Sequence, residues 1–332
     1  METRLLDASD ENQLRRFFDI ARRAEQEDGR PWNAFWTYDE VAAMFRDPTE
    51  DQRSEGVCVY DGDQMVGTAF VGFSLLDNTD KAFVLPTVES ELRGRGIGST
   101  ALEASVDLVR AEGRAEILSF SAYDFSERDT AATLRFAKRH GFSVANTEIY
   151  RILRLPVAAE LLDRIIRESA PHHTAYSIET YVDAIPDRYL ESYCHLVNQL
   201  VLDAPMGDLD YDEEKLTPEI QQEKTARNKR IGRVVYSTLA VKDGEAVAHS
   251  DLMLQPTGHQ GHQWGTLVRR DHRGHRLGAA VKAANLTALQ RGRPDITEVH
   301  TQNAETNANM VAINDLLGFE PVAVCPAFKR VL

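Results

Sequence analysis

A segment rich in glycine and arginine occurs twice in the chain, and the two copies lie 180 residues apart. The first copy is RGRGIG at residues 93–98 and the second is RGHRLG at residues 273–278. A second landmark, Gly-Phe at the end of an apolar segment, occurs at residues 141–142 and 318–319, which are 177 residues apart. Two landmarks with nearly the same spacing predict a duplicated domain, because repeated units preserve the order of their segments.

The length of the chain agrees with a duplication. Its 332 residues exceed what one core usually organises and suit two domains of ~150 residues each. We expect an amino-terminal domain at residues 1–155, a linker with a helix at 156–175, and a carboxy-terminal domain at 176–332.

Both halves predict the same order of elements. Apolar alternation around Asp61-Gly62-Asp63 and around Asp243-Gly244 predicts one hairpin in each half. A further strand leads into each glycine loop, and apolar residues at helical spacing follow it, such as Leu102, Val106 and Val109 in the first half. Later strands and a short helix complete each half. The fold class is therefore α/β, with helices packed on a mixed (α+β) sheet in each of two domains.

Composition and charge narrow the function classes. The chain has 38 Lys and Arg against 52 Asp and Glu, a formal net charge of −14. Nucleic acid is therefore a disfavoured partner, and a cationic small molecule is a favoured one. The three widely spaced cysteines argue against a disulfide framework or a zinc site and for a reducing, cytoplasmic location. We also expect no metal, no secretory leader and no membrane span.

The repeated loop has the chemistry of an anion site. The first turn of a helix offers backbone N–H groups without intrahelical partners, and glycines let these groups approach a bulky anion. Arginine adds charge-assisted contacts to phosphate oxygens. Ser99 stands where the dinucleotide-binding fingerprint requires glycine, and the G-K-[ST] of a Walker loop is absent from both copies. The loops therefore predict a diphosphate cradle of another kind, with a tight helix-capping turn as the alternative.

The pattern R-x-x-G-x-G after a strand, with a helix ending in Gly-Phe about 40 residues later, resembles the acyl-CoA loop of the GNAT N-acetyltransferase superfamily. The whole chain looks like two GNAT domains in tandem, in a layout similar to mycothiol synthase and actinobacterial tandem acetyltransferases. The resemblance implies that acetyl-CoA is the co-substrate and that an amine attacks its thioester directly. It also implies two sets of acetyl-CoA-binding residues: Val88, Arg93, Gly94, Arg95, Gly96, Ile97, Gly98 and Ser99, and Leu267, Val268, Arg273, Gly274, His275, Arg276, Leu277, Gly278, Ala279, Asn303 and Asn307.

Two features of these sets matter for the chemistry. By resemblance, backbone N–H groups around Val88 and around Leu267 and Val268 would hold the acyl carbonyl. Arg276 stands where the family usually has glycine. We expect the backbone donors to survive there only if Arg276 keeps an ordinary helical conformation, and its side chain is an alternative phosphate contact.

The expected catalytic residues lie in the second half and are His262, Asn307 and Asn314. Asn307 matches an asparagine that family members often carry. Asn314 occupies the position of the usual general-acid tyrosine, which is Ala137 in the first half, so neither copy keeps that acid. His262 is the one proton acceptor at the position where a general base is usual, with a surface histidine in a His-rich turn as the alternative.

Two segments are candidates for the acceptor site. Asp203, Asp208 and Asp210 would meet a cationic amine, and the alternative is a solvated acidic loop. In the first half, Trp32, Phe35 and Trp36 indicate packing first and an acceptor pocket second.

The sequence therefore predicts an acetyl-CoA-dependent N-acetyltransferase that acts on a small-molecule amine, with chemistry in the carboxy-terminal half. Two alternatives stay open: catalysis in the amino-terminal half, which has the cleaner glycine loop, and a non-catalytic acyl-CoA-binding scaffold or sensor. The sequence leaves the acceptor, the acyl chain length and the oligomeric state open.

Overall fold

A computed structural model describes residues 1–27, 30 and 36–332, and the chain divides into two compact units. Unit 1 comprises Met1–Glu148, Gly207–Asp210 and Ala323–Leu332. Unit 2 comprises Ile149–Met206 and Tyr211–Val322. Within the described ranges, no helix is both long and apolar enough to cross a bilayer.

Unit 1 is built from a mixed sheet and flanking helices. Its helices are α1 (Glu11–Arg22), continued by a π-helical turn at Arg23–Glu27, α2 (Tyr38–Arg46), α3 (Ile97–Ala111) and α4 (Ala132–Arg139). The sheet order is β1-β2-β3-β4-β5-β12, in which only β4 and β5 pair in parallel. Its strands are β1 (Glu2–Leu5), β2 (Gln52–Asp61), β3 (Gln64–Ser74), β4 (Lys81–Thr87), β5 (Glu116–Phe120) and the greater part of the last strand of the chain, β12 (Glu320–Val331).

Unit 2 repeats this plan. Strand β6 (Ser143–Arg154) begins in unit 1 and ends in unit 2. The other strands are β7 (Ser177–Val182), β8 (Val234–Lys242), β9 (Glu245–Leu254), β10 (Gln260–Val268) and β11 (Glu298–Ala304), in the order β6-β11-β10-β9-β8-β7. The helices are α5 (Ala159–Ser169), α6 (Asp187–Asp203), α7 (Pro218–Arg230), α8 (Leu277–Gly292) and α9 (Ala308–Leu317).

Local sequence signals explain where these elements begin and what they bury. Thr37 and Glu40 form a reciprocal capping box at the start of α2. Leu102, Val106 and Val109 of α3 are buried in the core of unit 1. The predicted mixed α/β fold, the hairpins and the strand–loop–helix units are therefore confirmed. The three cysteines are free and buried.

The division into units differs from the expected domain boundaries at residues 149–155, 156–175, 207–210 and 323–332. The expected linker, residues 156–175, belongs to unit 2. Its helix α5 packs on α8, and the side-chain oxygen of Gln290 accepts a hydrogen bond from the backbone N–H of Val157 at 2.7 Å. The carboxy-terminal residues 323–332 belong to unit 1, because β12 pairs with β5 and buries Phe328 in the unit 1 core.

We predict that two phenylalanines of one short segment stabilise different units. Phe328 is 2% exposed in the core of unit 1, and Phe319 is 3% exposed in the core of unit 2. Truncation of a buried phenylalanine to alanine costs about 3–5 kcal/mol. Phe328→Ala should raise amide hydrogen exchange in β2–β5, and Phe319→Ala should raise it in β8–β11. Faster exchange in the same unit for both variants would contradict this division.

Candidate functional site

Both glycine loops enter their helices through a left-handed residue. Gly96 precedes α3 with φ 84° and ψ −6°, and Arg276 precedes α8 with φ 54° and ψ 20°. Arg276 therefore does not keep the ordinary helical conformation that was expected to preserve the backbone donors. The matching Gly96 of unit 1 is also left-handed, so the two loops have the same kind of backbone conformation at this position. Arg276 adopts the left-handed conformation of Gly96 at a cost of roughly 1–2 kcal/mol for a residue with a Cβ. Neither helix has a side-chain cap, so no capping side chain occupies the first-turn N–H groups of either one.

The loops leave room for a diphosphate. Gly94 and Gly274 have φ of 78° and 84°, and a Cβ at either position would meet no atom within 4 Å. Ile97 and Leu277 are buried beneath the loops. Gly98 lies against α4, and Gly278 lies against α9. In the first loop, Ser99 is hydrogen-bonded to His140 at 2.9 Å, and Arg95 donates to the carbonyl of Glu91. In the second loop, the His275 ring lies edge-on to Tyr176, and Arg276 donates to the carbonyl of Glu168. Ala279 is partly buried in the core of unit 2.

The leading arginine of each loop braces the loop against its own unit. Arg93 donates from Nε to the carbonyl of Val88 at 3.0 Å, and Arg273 donates in the same way to Val268 at 3.2 Å. The second guanidinium contact of Arg273 is to Asp203 at 2.6 Å. These two side chains therefore hold the loops through contacts within their own units.

The three expected acceptor aspartates are not brought together. The Asp203 side chain is only 6% exposed and pairs with both Arg270 and Arg273, which neutralise its charge. Asp208 and Asp210 belong to unit 1, where the backbone N–H of Asp208 bonds to the carbonyl of Ala145 at 2.7 Å. In the first half, Trp32 and Phe35 lie outside the described residues.

The parallel pairing beside each strand that leads into a glycine loop ends early, and we call the gap between the unpaired strand ends the slot. The parallel pairing of β4 with β5 extends over residues 81–83 and 116–118, and that of β10 with β11 over 260–262 and 298–300. Beyond these three pairs the ladders stop, so the following residues of β4 and β10 have no paired residue on β5 and β11. The ends of the two strands, where Val88, Leu267 and Val268 were expected to hold an acyl carbonyl, follow this opening.

The strand before the loop is bulged in unit 2 and regular in unit 1. In β10, Gln263 pairs with Leu252 and Thr266 pairs with Ser250, so Trp264 and Gly265 together face one residue of β9. In unit 1, residues 83–87 of β4 pair with residues 68–72 of β3 without a shift. A β-bulge turns backbone and side chains locally, and bulges are common beside active sites.

The residue that faces this bulge belongs to a buried chain of polar groups. His249 Nδ1 lies 2.7 Å from Asp251 Oδ2, and the Tyr193 hydroxyl donates to the same oxygen at 3.0 Å. Burial, with the adjacent Asp251 carboxylate, raises the pKa of Tyr193 well above its usual range, so its hydroxyl keeps the proton. These residues were not predicted from the sequence, although His249 and Asp251 are two apart on a strand and therefore share one face.

His262 lies in strand β10, half-buried, on the same face of the sheet. Its ring centroid is 5.8 Å from that of His300. Burial lowers the pKa of His300 to about 4, so this imidazole is neutral near pH 7. His300 accepts from the Tyr150 hydroxyl at 2.8 Å, and its other ring nitrogen lies 3.1 Å from Glu298. His262 is therefore a strand residue beside a neutral, fully bonded neighbour.

The asparagines of the second half have structural partners. Asn307 caps α9 by accepting the backbone N–H of Met310 at 3.2 Å. Asn314 is fully buried, donates to Asn303 Oδ1 and accepts from Lys282 Nζ at 2.6 Å. Burial lowers the pKa of Lys282, which is 1% exposed, to about 7. This lysine was missed because it lies on the apolar side of an otherwise regular helix.

Unit 1 has no corresponding titratable groups along this strand. Thr68 pairs with Thr87 at the position where His249 pairs with Leu267 in unit 2. Two residues further along the same strand, Phe70 stands at the position of Asp251. Phe83 is paired at the end of the parallel ladder as His262 is in unit 2, and its ring centroid lies 4.9 Å from that of Phe120.

Comparisons with known proteins agree with the duplicated fold. Residues 15–142 match the acetyltransferase (GNAT) family model. A tandem GNAT protein from the clavulanic acid biosynthesis pathway, solved without AcCoA, is 23% identical, with 99% of this chain and 98% of that chain covered and a TM-score of 0.76. A GCN5-related N-acetyltransferase from Sphaerobacter thermophilus is 16% identical, with 99% and 95% covered and a TM-score of 0.66. No curated protein matches the chain.

A more distant likeness reaches a different acyl-CoA enzyme. Saccharomyces cerevisiae N-myristoyltransferase, solved with bound myristoyl-CoA and inhibitors, is 11% identical, with 99% of this chain and 80% of that chain covered and a TM-score of 0.60. Residues 15–142 therefore match a GNAT family model, and the fold of the whole chain is similar to that of a tandem GNAT protein.

We predict that Lys282 makes stability depend on pH. Its folded pKa of about 7 lies below the ordinary value of 10.5, so between these values the unfolded state binds more protons and stability rises with pH. Relative to Lys282→Met, the wild-type unfolding free energy should therefore increase by about 1.4 kcal/mol per pH unit from pH 7 to 10. Urea denaturation across this range measures the difference.

The exposed Lys138→Met is the matched control, with a difference from wild type that should stay constant over this range. A pH-independent difference for Lys282→Met would show that this lysine is charged in the folded protein at pH 7.

Proposed function

We propose that this chain is an acyl-CoA-dependent N-acyltransferase that uses acetyl-CoA, acts on a small-molecule amine and performs the chemistry in unit 2. The β10 bulge carries this proposal. It lies beside the open end of the parallel ladder and next to titratable side chains, whereas the matching strand of unit 1 is regular and faces phenylalanines. The cytoplasm suits such an enzyme, since its three thiols are free.

Different residues of unit 2 would have different roles in the reaction. Backbone N–H groups of residues 274–279 would hold the diphosphate of acetyl-CoA. Those at Leu267 and Val268 would polarise the carbonyl of the acyl group that the thioester supplies when bound. Asn314, which is bonded to Lys282 and Asn303, occupies the position of the usual tyrosine acid. The thiolate would leave on this side of the site.

Unit 1 is then a nucleotide-binding or scaffold half. Its loop has glycine at all three positions, which favours acyl-CoA binding. Its slot presents rings rather than proton acceptors, which disfavours turnover.

A direct test follows free thiol in mixtures of the protein, acetyl-CoA and a panel of primary amines. Thiol release that depends on the amine supports the enzyme. Acetyl-CoA binding without thiol release, across a panel of amino acids, amino sugars and polyamines, would instead support the scaffold or sensor.

Substitutions in the two loops should assign the active half. Gly274→Asp should lower kcat/KM for acetyl-CoA at least 30-fold relative to Gly274→Asn, because a carboxylate ~5 Å from the diphosphate costs about 2–3 kcal/mol. The asparagine variant carries the same left-handed backbone strain without the charge. Gly94→Asp should stay within about threefold of Gly94→Asn. A larger charge effect at position 94 than at 274 would place the chemistry in unit 1.

A further inference from the structure

A buried histidine of unit 2 presents an unbonded ring nitrogen to the bulge of β10. His249 is 1% exposed, and its Nε2 has no hydrogen-bond partner among the described residues. A Cβ built on Gly265 would lie 3.0 Å from His249 Cε1 and 3.8 Å from Nε2. Glycine at position 265 therefore keeps open the space in front of this nitrogen. A buried polar atom without a partner normally indicates a missing water or ligand.

The neighbours of His249 make this nitrogen a proton acceptor. A carboxylate only accepts hydrogen bonds, so the Nδ1 next to Asp251 carries the ring proton and leaves the lone pair on Nε2. Asp251 is in turn held by the Tyr193 hydroxyl. His249 pairs with Leu239 of β8 and Leu267 of β10, and Leu200 of α6 lies, like the His249 ring, 3.0 Å from a Cβ built on Gly265.

The position of His249 relative to the slot is fixed by strand register. His249 pairs directly with Leu267, one of the two residues expected to hold the acyl carbonyl. Residues directly opposite on antiparallel strands have Cβ atoms about 4.5–5.5 Å apart. The unbonded nitrogen is thus one strand away from the reacting carbonyl, on the face covered by α6.

We propose that His249 is the proton acceptor for the amine in unit 2 and that Asp251 is its positioning residue. This inference rests on the proposed function. The ammonium of a small primary amine gives one proton to Nε2, directly or through one water. The freed nitrogen lone pair forms the C–N bond to the acyl carbon, and the C–S bond breaks with its electron pair leaving on the thiolate. The amide nitrogen then loses its second proton, the thiolate takes up one, and the other is released to solvent.

The same positions in unit 1 contain no proton acceptor of this kind. Thr68 takes the place of His249 and Phe70 that of Asp251. The histidine–aspartate pair therefore separates the two copies at the strand that carries the bulge.

The test replaces His249 with glutamine, which still offers a donor to Asp251 but does not titrate. His249→Gln should lower kcat/KM for the amine at least 100-fold, within the usual range for loss of a general base. It should also abolish the rise of kcat/KM with pH, while acetyl-CoA affinity by calorimetry stays within about threefold of wild type. The exposed His195→Gln on α6 is the matched control and should keep the rate within about threefold and the pH profile unchanged. Loss of the rate in His262→Gln with retention in His249→Gln would overturn the proposal.

Asp251→Asn tests positioning. An asparagine amide that donates to Nδ1 forces the proton onto Nε2 and removes the acceptor, so the rate should fall while the unfolding temperature changes little. The nitrogen-15 shifts of the histidine rings, assigned by their loss in His249→Gln, give a readout that needs no turnover. Wild type should show an unprotonated Nε2, and Asp251→Asn a protonated one.

The proposed function and the proposed role of His249 are refuted by different results. Absence of amine-dependent thiol release from wild type refutes the proposed function. A protonated Nε2 in the neutral wild-type ring, or a rate and pH profile unaffected by His249→Gln, refutes the role of His249 whatever the outcome for the enzyme.

Discussion

The parallel pairing between β10 and β11 stops after His262 and His300, and β10 bulges two residues later. Backbone donors in the middle of a sheet are normally consumed by neighbouring strands. Here the ladder opens and leaves such donors inside the unit, next to the start of a helix whose own N–H groups are uncapped. In the proposed complex, one extended ligand would place its acyl carbonyl at the first set of donors and its diphosphate at the second.

Comparison of the two copies shows which features this geometry requires. Both keep the opened ladder, the left-handed residue and the uncapped helix. Arg276 keeps that backbone despite its Cβ, which indicates that the path of the loop is retained at an energetic cost. The bulge and the histidine–aspartate pair occur in unit 2, whereas unit 1 has a regular strand with Thr68 and Phe70. The copies therefore share the elements of binding and differ in the elements of proton transfer.

Much of the fold could be predicted because its signals are local. Glycine loops, hairpin turns and apolar periodicity identified the duplication and the order of elements. The bulge depends on which residues of β9 and β10 pair with each other, and the sequence alone does not give this register. The assignment of residues 323–332 to unit 1 depends on a pairing with β5, about 200 residues earlier in the chain. His249 and Lys282 were missed because the sequence does not show that their side chains are buried, and Asp203, the last residue of α6, has its carboxylate paired with two arginines rather than open to an amine.

The most direct measurement is a crystal structure with the ketone analogue of acetyl-CoA in which a methylene replaces the thioester sulfur. The account predicts that the analogue carbonyl lies within hydrogen-bond distance of the β10 backbone at Leu267 or Val268, with the diphosphate on the turn at residues 274–279. A carbonyl bound instead beside β4 in unit 1, with the space in front of Gly265 empty, would contradict it.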